Sequence, residues 1–144
     1  MAGADDYEAS PWQWVRDQVE LYESSNGLDG TTLRDTGLPV VLMTMRGARS
    51  GKVRKVPVMR VEHDGVYAAV ASVGGAPEHP RWYANLLADP RVELRDGDQV
   101  RQVTAREVFG EEKARWWARA VEAYPPYAEY QTRTTRQIPV FVLE

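Results

Sequence analysis

A chain of 144 residues with 43% hydrophobic residues and a net charge of −3 is long enough to bury a core and too apolar to stay disordered; about two-thirds of its unfolded surface should leave water on folding. With no cysteine, disulfides, thiolate metal sites, iron–sulfur clusters and cysteine nucleophiles are excluded, and with only His63 and His79 a histidine-rich metal centre is not expected. The acidic opening MAGADDYEAS has no apolar core and no run reaches membrane-spanning length, so the expectation is a cytoplasmic protein that is not a general nucleic-acid binder.

Ser10-Pro11 reads as an N-cap followed by proline at the first helical position. Trp12, Val15, Val19 and Tyr22 then recur at helical spacing, which predicts an amphipathic helix from Pro11 to Ser24. Its expected use is packing onto the rest of the fold or onto a second copy in a homodimer. Peripheral membrane contact is the sharper alternative, opposed by Asp17, Glu20 and Glu23, which anionic lipid would repel. Ser24 to Gly30 breaks the helix and leads into a polar connector.

From Pro39 the pattern turns to β-rich runs: PVVLMTM, RKVPVMRVE and VYAAVAS, with His63-Asp64-Gly65 as a tight hairpin connection between the last two. His79-Pro80 opens a helix that runs to about Ala88, where Asp89-Pro90 stops it. Val92 to Leu94 and Gln99 to Val108 flank a second hairpin at Asp96-Gly97-Asp98. After Gly110 a helix carries Glu111 and Glu112 in its first turn, where the dipole favours acids, and places Trp117, Val121 and Tyr124 on one face. A short helix beginning near Pro126 would put Tyr127 and Tyr130 on one side, and Ile138 to Leu143 reads as a final buried strand. About six strands suffice to curl into a small barrel. No repeat or linker divides the chain, which predicts a single domain over residues 1–144.

Three constellations could carry chemistry. Arg46, Arg49, Lys52, Arg54, Lys55 and Arg60 fall within fifteen positions of an otherwise acidic chain, and the loop RGARSGKVR mixes glycines, a hydroxyl and cations. It is either an anion-binding loop for phosphate or carboxylate or a plain charged turn. It is not a P-loop, because the spacing is one residue short and Val53 stands where the magnesium-binding hydroxyl would be. The block ASVGGAPEHPRWYANLLADP joins Ser72, Gly74, Gly75, Trp82, Tyr83 and Asn85; it is either a pocket wall, with glycine backbone able to approach a ligand, or a turn with aromatic core anchors. Tyr124, Tyr127 and Tyr130 recur every three residues and are either core rings or groups that orient a carbonyl and supply a proton. His79, before a proline at a helix start, has no assigned role. No GxSxG, GxGxxG or HExxH motif occurs.

Taken together, LMTMRGARSGKVRKVPV, AAVASVGGAPEHPRWYANLLADPRVEL, TAREV and AYPPYAEYQTRTTRQIPVFVLE resemble the deazaflavin-dependent nitroreductases of actinobacteria, from about Pro39 to the C-terminus. The resemblance implies an α+β, mainly β fold: a split β-barrel over residues 37–144, of the flavin-reductase and pyridoxamine-oxidase-like type, preceded by a helix and connector over residues 1–36. It implies coenzyme F420, a phosphate-bearing 5-deazaflavin with a polyglutamate tail, as cofactor, and hydride transfer to a quinone-like, nitroaromatic or activated enone acceptor. Carried over by position, Arg49, Ser50 and Arg54 grip the phosphate and acidic tail, with Ala48 a cofactor-binding position of the same loop, while Lys55, Val56, Pro57, Val58 and Met59 line the ring system. Ala71, Ser72, Val73 and Gly74 meet the deazaflavin, and Trp82, Tyr83 and Asn85 lie on the helix beside it. Ser72, Tyr124, Tyr127 and Tyr130 surround the acceptor, Tyr127 also touching the cofactor, and Tyr124 or Tyr130 would supply the proton. Ala48 and Val73 depart from the family, whose members often carry a basic residue at each place. A non-catalytic carrier of F420 and a related barrel using FMN are the alternatives, the second leaving the basic loop without an acidic tail to meet.

Overall fold

The structure, a computed structural model, describes residues 7–33 and 36–144; the acidic residues 1–6 and part of the connector lie outside them. Seven strands alternate with four helices: α1 (Gln13–Ser24), β1 (Val40–Arg46), β2 (Val53–Met59), β3 (Val61–His63), β4 (Val66–Val70), α2 (Arg81–Ala88), β5 (Arg91–Asp96), β6 (Gln99–Val108), α3 (Gly110–Ala123), α4 (Pro126–Thr132) and β7 (Val140–Leu143). The strands form one antiparallel sheet in the order β2-β1-β5-β6-β7-β4-β3.

The expected strand RKVPVMRVE is divided at Arg60, so seven strands stand where about six were read. The physical reason is a change of partner. Through Met59 the segment pairs with β1, and the Arg60 N–H still donates to Pro39 O at 2.9 Å. From Val61 it pairs with β4. Because β2 and β3 are the two edges of the sheet yet are joined through one residue, the sheet has to curl until its edges meet. Arg60 is fixed at that corner by Asp96 Oδ2, to which its Nε donates at 2.9 Å and the Tyr67 hydroxyl donates at 2.5 Å.

Strand alternation feeds two cores. Val40 and Leu42 of β1, Ala68 and Val70 of β4, and Val140 and Val142 of β7 pack with α1, α3 and α4. The residues between them, Val41 and Met43, Tyr67 and Ala69, Phe141 and Leu143, pack with Trp82 and Leu86 of α2. Burial on both faces is why PVVLMTM reads as a continuous apolar run. The hairpin at His63-Asp64-Gly65 holds Asp64 and Gly65 at φ 52° and 82°, the left-handed pair a two-residue hairpin turn requires.

Helix α1 packs on the sheet through Val15, Val19 and Tyr22. Tyr22 is fully buried, and its hydroxyl accepts the Gly97 N–H at 2.7 Å, tying the helix to the β5–β6 turn. The helix begins at Gln13, two residues later than read, with Trp12 at the N-cap; Ser10 Oγ instead accepts the Trp12 N–H at 3.2 Å. In α3 the buried side chains are Trp116 and Ala120, one position before the expected face. Trp117, Val121 and Tyr124 are only partly buried, because α3 packs against both the sheet and α4 and its contact stripe is broad.

Removing the carboxylate at the closing corner should weaken the fold. Asp96→Ala leaves the Tyr67 hydroxyl without its acceptor and Arg60 with only the longer contact to Glu62, and since both ion-pair partners are partly solvated the expected loss is about 1–2 kcal/mol. Urea unfolding should show a lower midpoint at unchanged slope.

Candidate active site

A groove of about 820 Å³ runs along β2. Val56, Pro57, Val58 and Met59 line one side, and Ser72 and Val73 of a 3₁₀ turn line another. Trp82 and Asn85 of α2 and Tyr124, Tyr127 and Tyr130 of the α3–α4 region complete it, with Arg54 and Lys55 at the head of β2. Thirteen of the residues expected from sequence are thus brought to one cavity.

The turn is held from behind by Arg136. Its Nη2 donates to Ala71 O at 3.1 Å and Ser72 O at 2.8 Å, its Nε donates to Ala76 O at 2.9 Å, and its Nη1 meets His79 Nδ1 at 2.9 Å. A guanidinium has no acceptor. His79 Nδ1 must therefore accept, which leaves a neutral imidazole carrying its proton on Nε2, and burial followed by the nearby Arg136 charge holds its pKa below the usual value. Gly75 sits at φ 82°, and a Cβ there would lie 2.5 Å from Tyr130 O. At this glycine the backbone is pressed against α4. Val73 is held at φ 46°, a conformation β-branched residues rarely adopt, and its side chain is half exposed on the groove. Gly74 lies in the same turn.

The tyrosines form one cluster. Tyr124 and Tyr127 pack edge to face at 4.9 Å, and Tyr127 and Tyr130 at 6.1 Å. The hydroxyls of Tyr124 and Tyr130 are 2.9 Å apart. One donates to the other, so one O–H remains for a third partner. Burial first, and then the hydrogen bond with Tyr130, push the Tyr124 phenol up to about 12. It keeps its proton throughout the neutral range. Tyr127 is 4% exposed, burial raises its pKa strongly, and its hydroxyl has no hydrogen-bond partner among the described residues.

Several expected residues lie off the groove lining. Ala71 is fully buried, its carbonyl taken by Arg136. Tyr83 stacks on His79 at 4.3 Å and donates to Glu107 at 2.9 Å. The basic loop stands beside the groove: the Ala48 N–H donates to Asn85 Oδ1 at 2.9 Å, and Ser50 Oγ accepts the Lys52 N–H at 3.1 Å. Arg49 and Lys52 are exposed and make no ion pair among the described residues. Arg54 and Lys55, in contrast, are paired with Glu8 and Glu23.

Sequence reasoning missed Arg136, the groove-lining His79 and the Ser10–Val15 stretch, whose Trp12 and Trp14 also line the cavity. No local signal marks Arg136. Its partners are about sixty positions away.

Val73 and Gly75 make a direct test of the turn. Val73→Gly should leave stability unchanged or raise it, since relief of the left-handed strain offsets the entropy of glycine. Gly75→Ala should cost about 2 kcal/mol or more, because neighbouring backbone blocks its Cβ. Thermal unfolding of the two variants gives the comparison.

Residues 14–144 match the model of the F420H(2)-dependent quinone reductase family. A Mycobacterium tuberculosis protein named F420H(2)-dependent quinone reductase is 35% identical over 134 residues, spanning 91% of this chain and 89% of its own length. Among solved structures, an F420-H2 dependent reductase (FDR-A) is 62% identical with TM-score 0.71, over 74% of this chain and 94% of that one. A structure described as a domain-swapped dimer is 56% identical with TM-score 0.73, over 94% and 100%. A Clostridium acetobutylicum protein of the pyridoxinephosphate oxidase family, 15% identical with TM-score 0.51 over 88% of this chain and 84% of its own, shares the fold alone. The curled sheet, the groove it leaves along β2 and these matches lead to one assignment: the chain belongs to the F420H(2)-dependent quinone reductase family, oxidoreductases whose cofactor is reduced coenzyme F420.

Proposed function

We propose that this groove holds the deazaflavin along β2 and the Ser72–Gly75 turn, and that a quinone-type acceptor is reduced beside the tyrosines. The observation that carries the reading is the Tyr124–Tyr130 hydroxyl pair, 2.9 Å apart, in the same cavity as the apolar β2 wall. The residues present fit the cofactor. Val56 to Met59 offer an apolar wall, the Tyr127 hydroxyl has no hydrogen-bond partner among the described residues, and Arg49 and Lys52, in no ion pair among the described residues, offer cations for phosphate and carboxylate. In this reading Ala48, Arg49, Ser50, Arg54 and Lys55 meet the anionic end, Ala71 to Gly74 meet the ring edge, and Trp82, Tyr83 and Asn85 support it from α2.

When bound, the reduced deazaflavin supplies a hydride. The chain's own work is positioning and charge stabilisation. The β2 wall and the Arg136-clamped turn hold the partners face to face and spare the entropy of aligning them. The remaining O–H of the tyrosine pair donates to the acceptor oxygen as negative charge develops there. With the Tyr124 phenol pushed up to about 12, the pair acts as a proton donor and not as a base at neutral pH. Nitroaromatics and activated enones present a similar electron-poor centre conjugated to oxygen and fall within the same proposal.

A homodimer is supported by the likeness to the domain-swapped structure, and light scattering on the purified protein measures it. Peripheral membrane contact rests on Trp12 alone, 65% exposed on the groove. No described helix is long and apolar enough to cross a membrane.

Fluorescence polarisation should show binding of F420 in preference to FMN, and steady-state reduction of menadione should show turnover. Tight F420 binding without turnover across quinones and nitroaromatics would make the protein a carrier. The Tyr124→Phe, Tyr130→Phe double variant should lose about 10²-fold or more in kcat while its affinity for F420 stays within about twofold of wild type, because the lost donor acts on the acceptor.

A further inference from the structure

The head of β2 is already occupied by the chain's own acidic groups. As an edge strand, β2 has one free side, and there Tyr7 forms a parallel bridge with Val53 while the Glu8 N–H donates to Val53 O at 2.9 Å. This short strap puts the Glu8 carboxylate on Arg54 Nη1 and the Tyr7 ring 4.8 Å from Lys55 Nζ. From α1, both carboxylate oxygens of Glu23 accept from Lys55 Nζ at 2.8 Å. The strap then continues as Ser10, Pro11 and Trp12 along the groove wall. Two cations of the groove are thus neutralised from within, whereas the neighbouring Arg49 and Lys52 form no ion pair among the described residues.

We infer that Glu8 is an affinity-setting residue that competes for Arg54 with the anionic end of the bound ligand, so that binding exchanges one carboxylate for another and lifts the Tyr7–Glu8 strap from the β2 edge. The inference rests on the proposed F420 reading, which brings phosphate and carboxylates to this end of the groove. Its size follows from solvation. The Glu8 side chain is 45% exposed, so the pair is of the partly screened kind that contributes up to about 1 kcal/mol, equivalent to about fivefold in a binding constant. Such a contact is weak enough to yield to a ligand bearing several charges. A ligand bearing none leaves the pair in place and is indifferent to it.

The test measures F420 binding at low salt for wild type, Glu8→Gln, Glu23→Gln and Glu78→Gln. Glu78 also lines the groove but forms no ion pair among the described residues, so it reports the general field of a nearby carboxylate. Glu8→Gln should tighten binding about three- to fivefold and Glu78→Gln less than about twofold. The deazaflavin nucleus lacking phosphate and glutamates should bind all four proteins alike. In wild type, hydrogen exchange at the Glu8 amide should accelerate when F420 saturates the protein. Equal affinities for wild type and Glu8→Gln, an equal gain in Glu78→Gln, or a Glu8 amide that stays protected in the complex would each overturn the inference. Should wild type bind neither deazaflavin, the cofactor reading fails by itself, and tetraglutamate and inorganic phosphate become the probes. Tighter binding of either by Glu8→Gln then upholds the exchange, and equal binding, or none by either protein, overturns it.

Discussion

The whole architecture depends on the passage of the chain through Arg60. One residue separates β2 from β3, yet these strands form opposite edges of a seven-stranded sheet. A flat sheet cannot satisfy that connection, so the sheet curls and its edges are brought together at one corner. Closure is incomplete, since β2 and β3 do not pair with each other. An edge strand with a free hydrogen-bonding side is usually a hazard to be covered. Here the uncovered strand borders the groove and is met by the strap at Tyr7 and Glu8.

A second constraint acts on the opposite wall. The segment from Ala71 to Ala76 points three carbonyls at one place, and Arg136 answers all of them with a single planar guanidinium. Five donors in a rigid fork suit that task better than an ammonium would. The same clamp fixes the tautomer of His79 and stands behind the left-handed Val73. Strain of about 1–3 kcal/mol at such a residue persists only where its surroundings hold it. Gly75, pressed against the backbone of α4, supplies the other half of that support and couples the turn to the tyrosine cluster.

Charge in the groove is divided along its length. At the head of β2, among the described residues, Arg54 and Lys55 are met by Glu8 and Glu23 while Arg49 and Lys52 are met by no carboxylate. At the tyrosine end Tyr124 and Tyr127 hold their protons: burial raises both phenols, and the hydrogen bond with Tyr130 raises Tyr124 further. In the proposed reading this division is useful, because a donor held neutral in a partly dry site can answer new negative charge on an acceptor without first giving up a charge of its own.

Most strands and helices were legible in the sequence because their signals are local. Turn chemistry at His63-Asp64-Gly65 and Asp96-Gly97-Asp98, the stop at Asp89-Pro90 and the apolar run of β1 each depend on residues within a few positions. The motifs that resemble the deazaflavin-dependent family likewise named the β2 wall, Ser72, Trp82, Asn85 and the three tyrosines, which the structure brings to one groove. What the sequence could not show was partner choice over long separations. The division of one apparent strand at Arg60, the Arg136 clamp across about sixty residues and the pairing of Arg54 and Lys55 with Glu8 and Glu23 all depend on which distant groups meet. The identity of the residues was sufficient to propose a cofactor. Only the tertiary structure decided which of the described cations are ion-paired within the chain, because an ion pair depends on distance and solvent exposure, and neither is written in the local sequence.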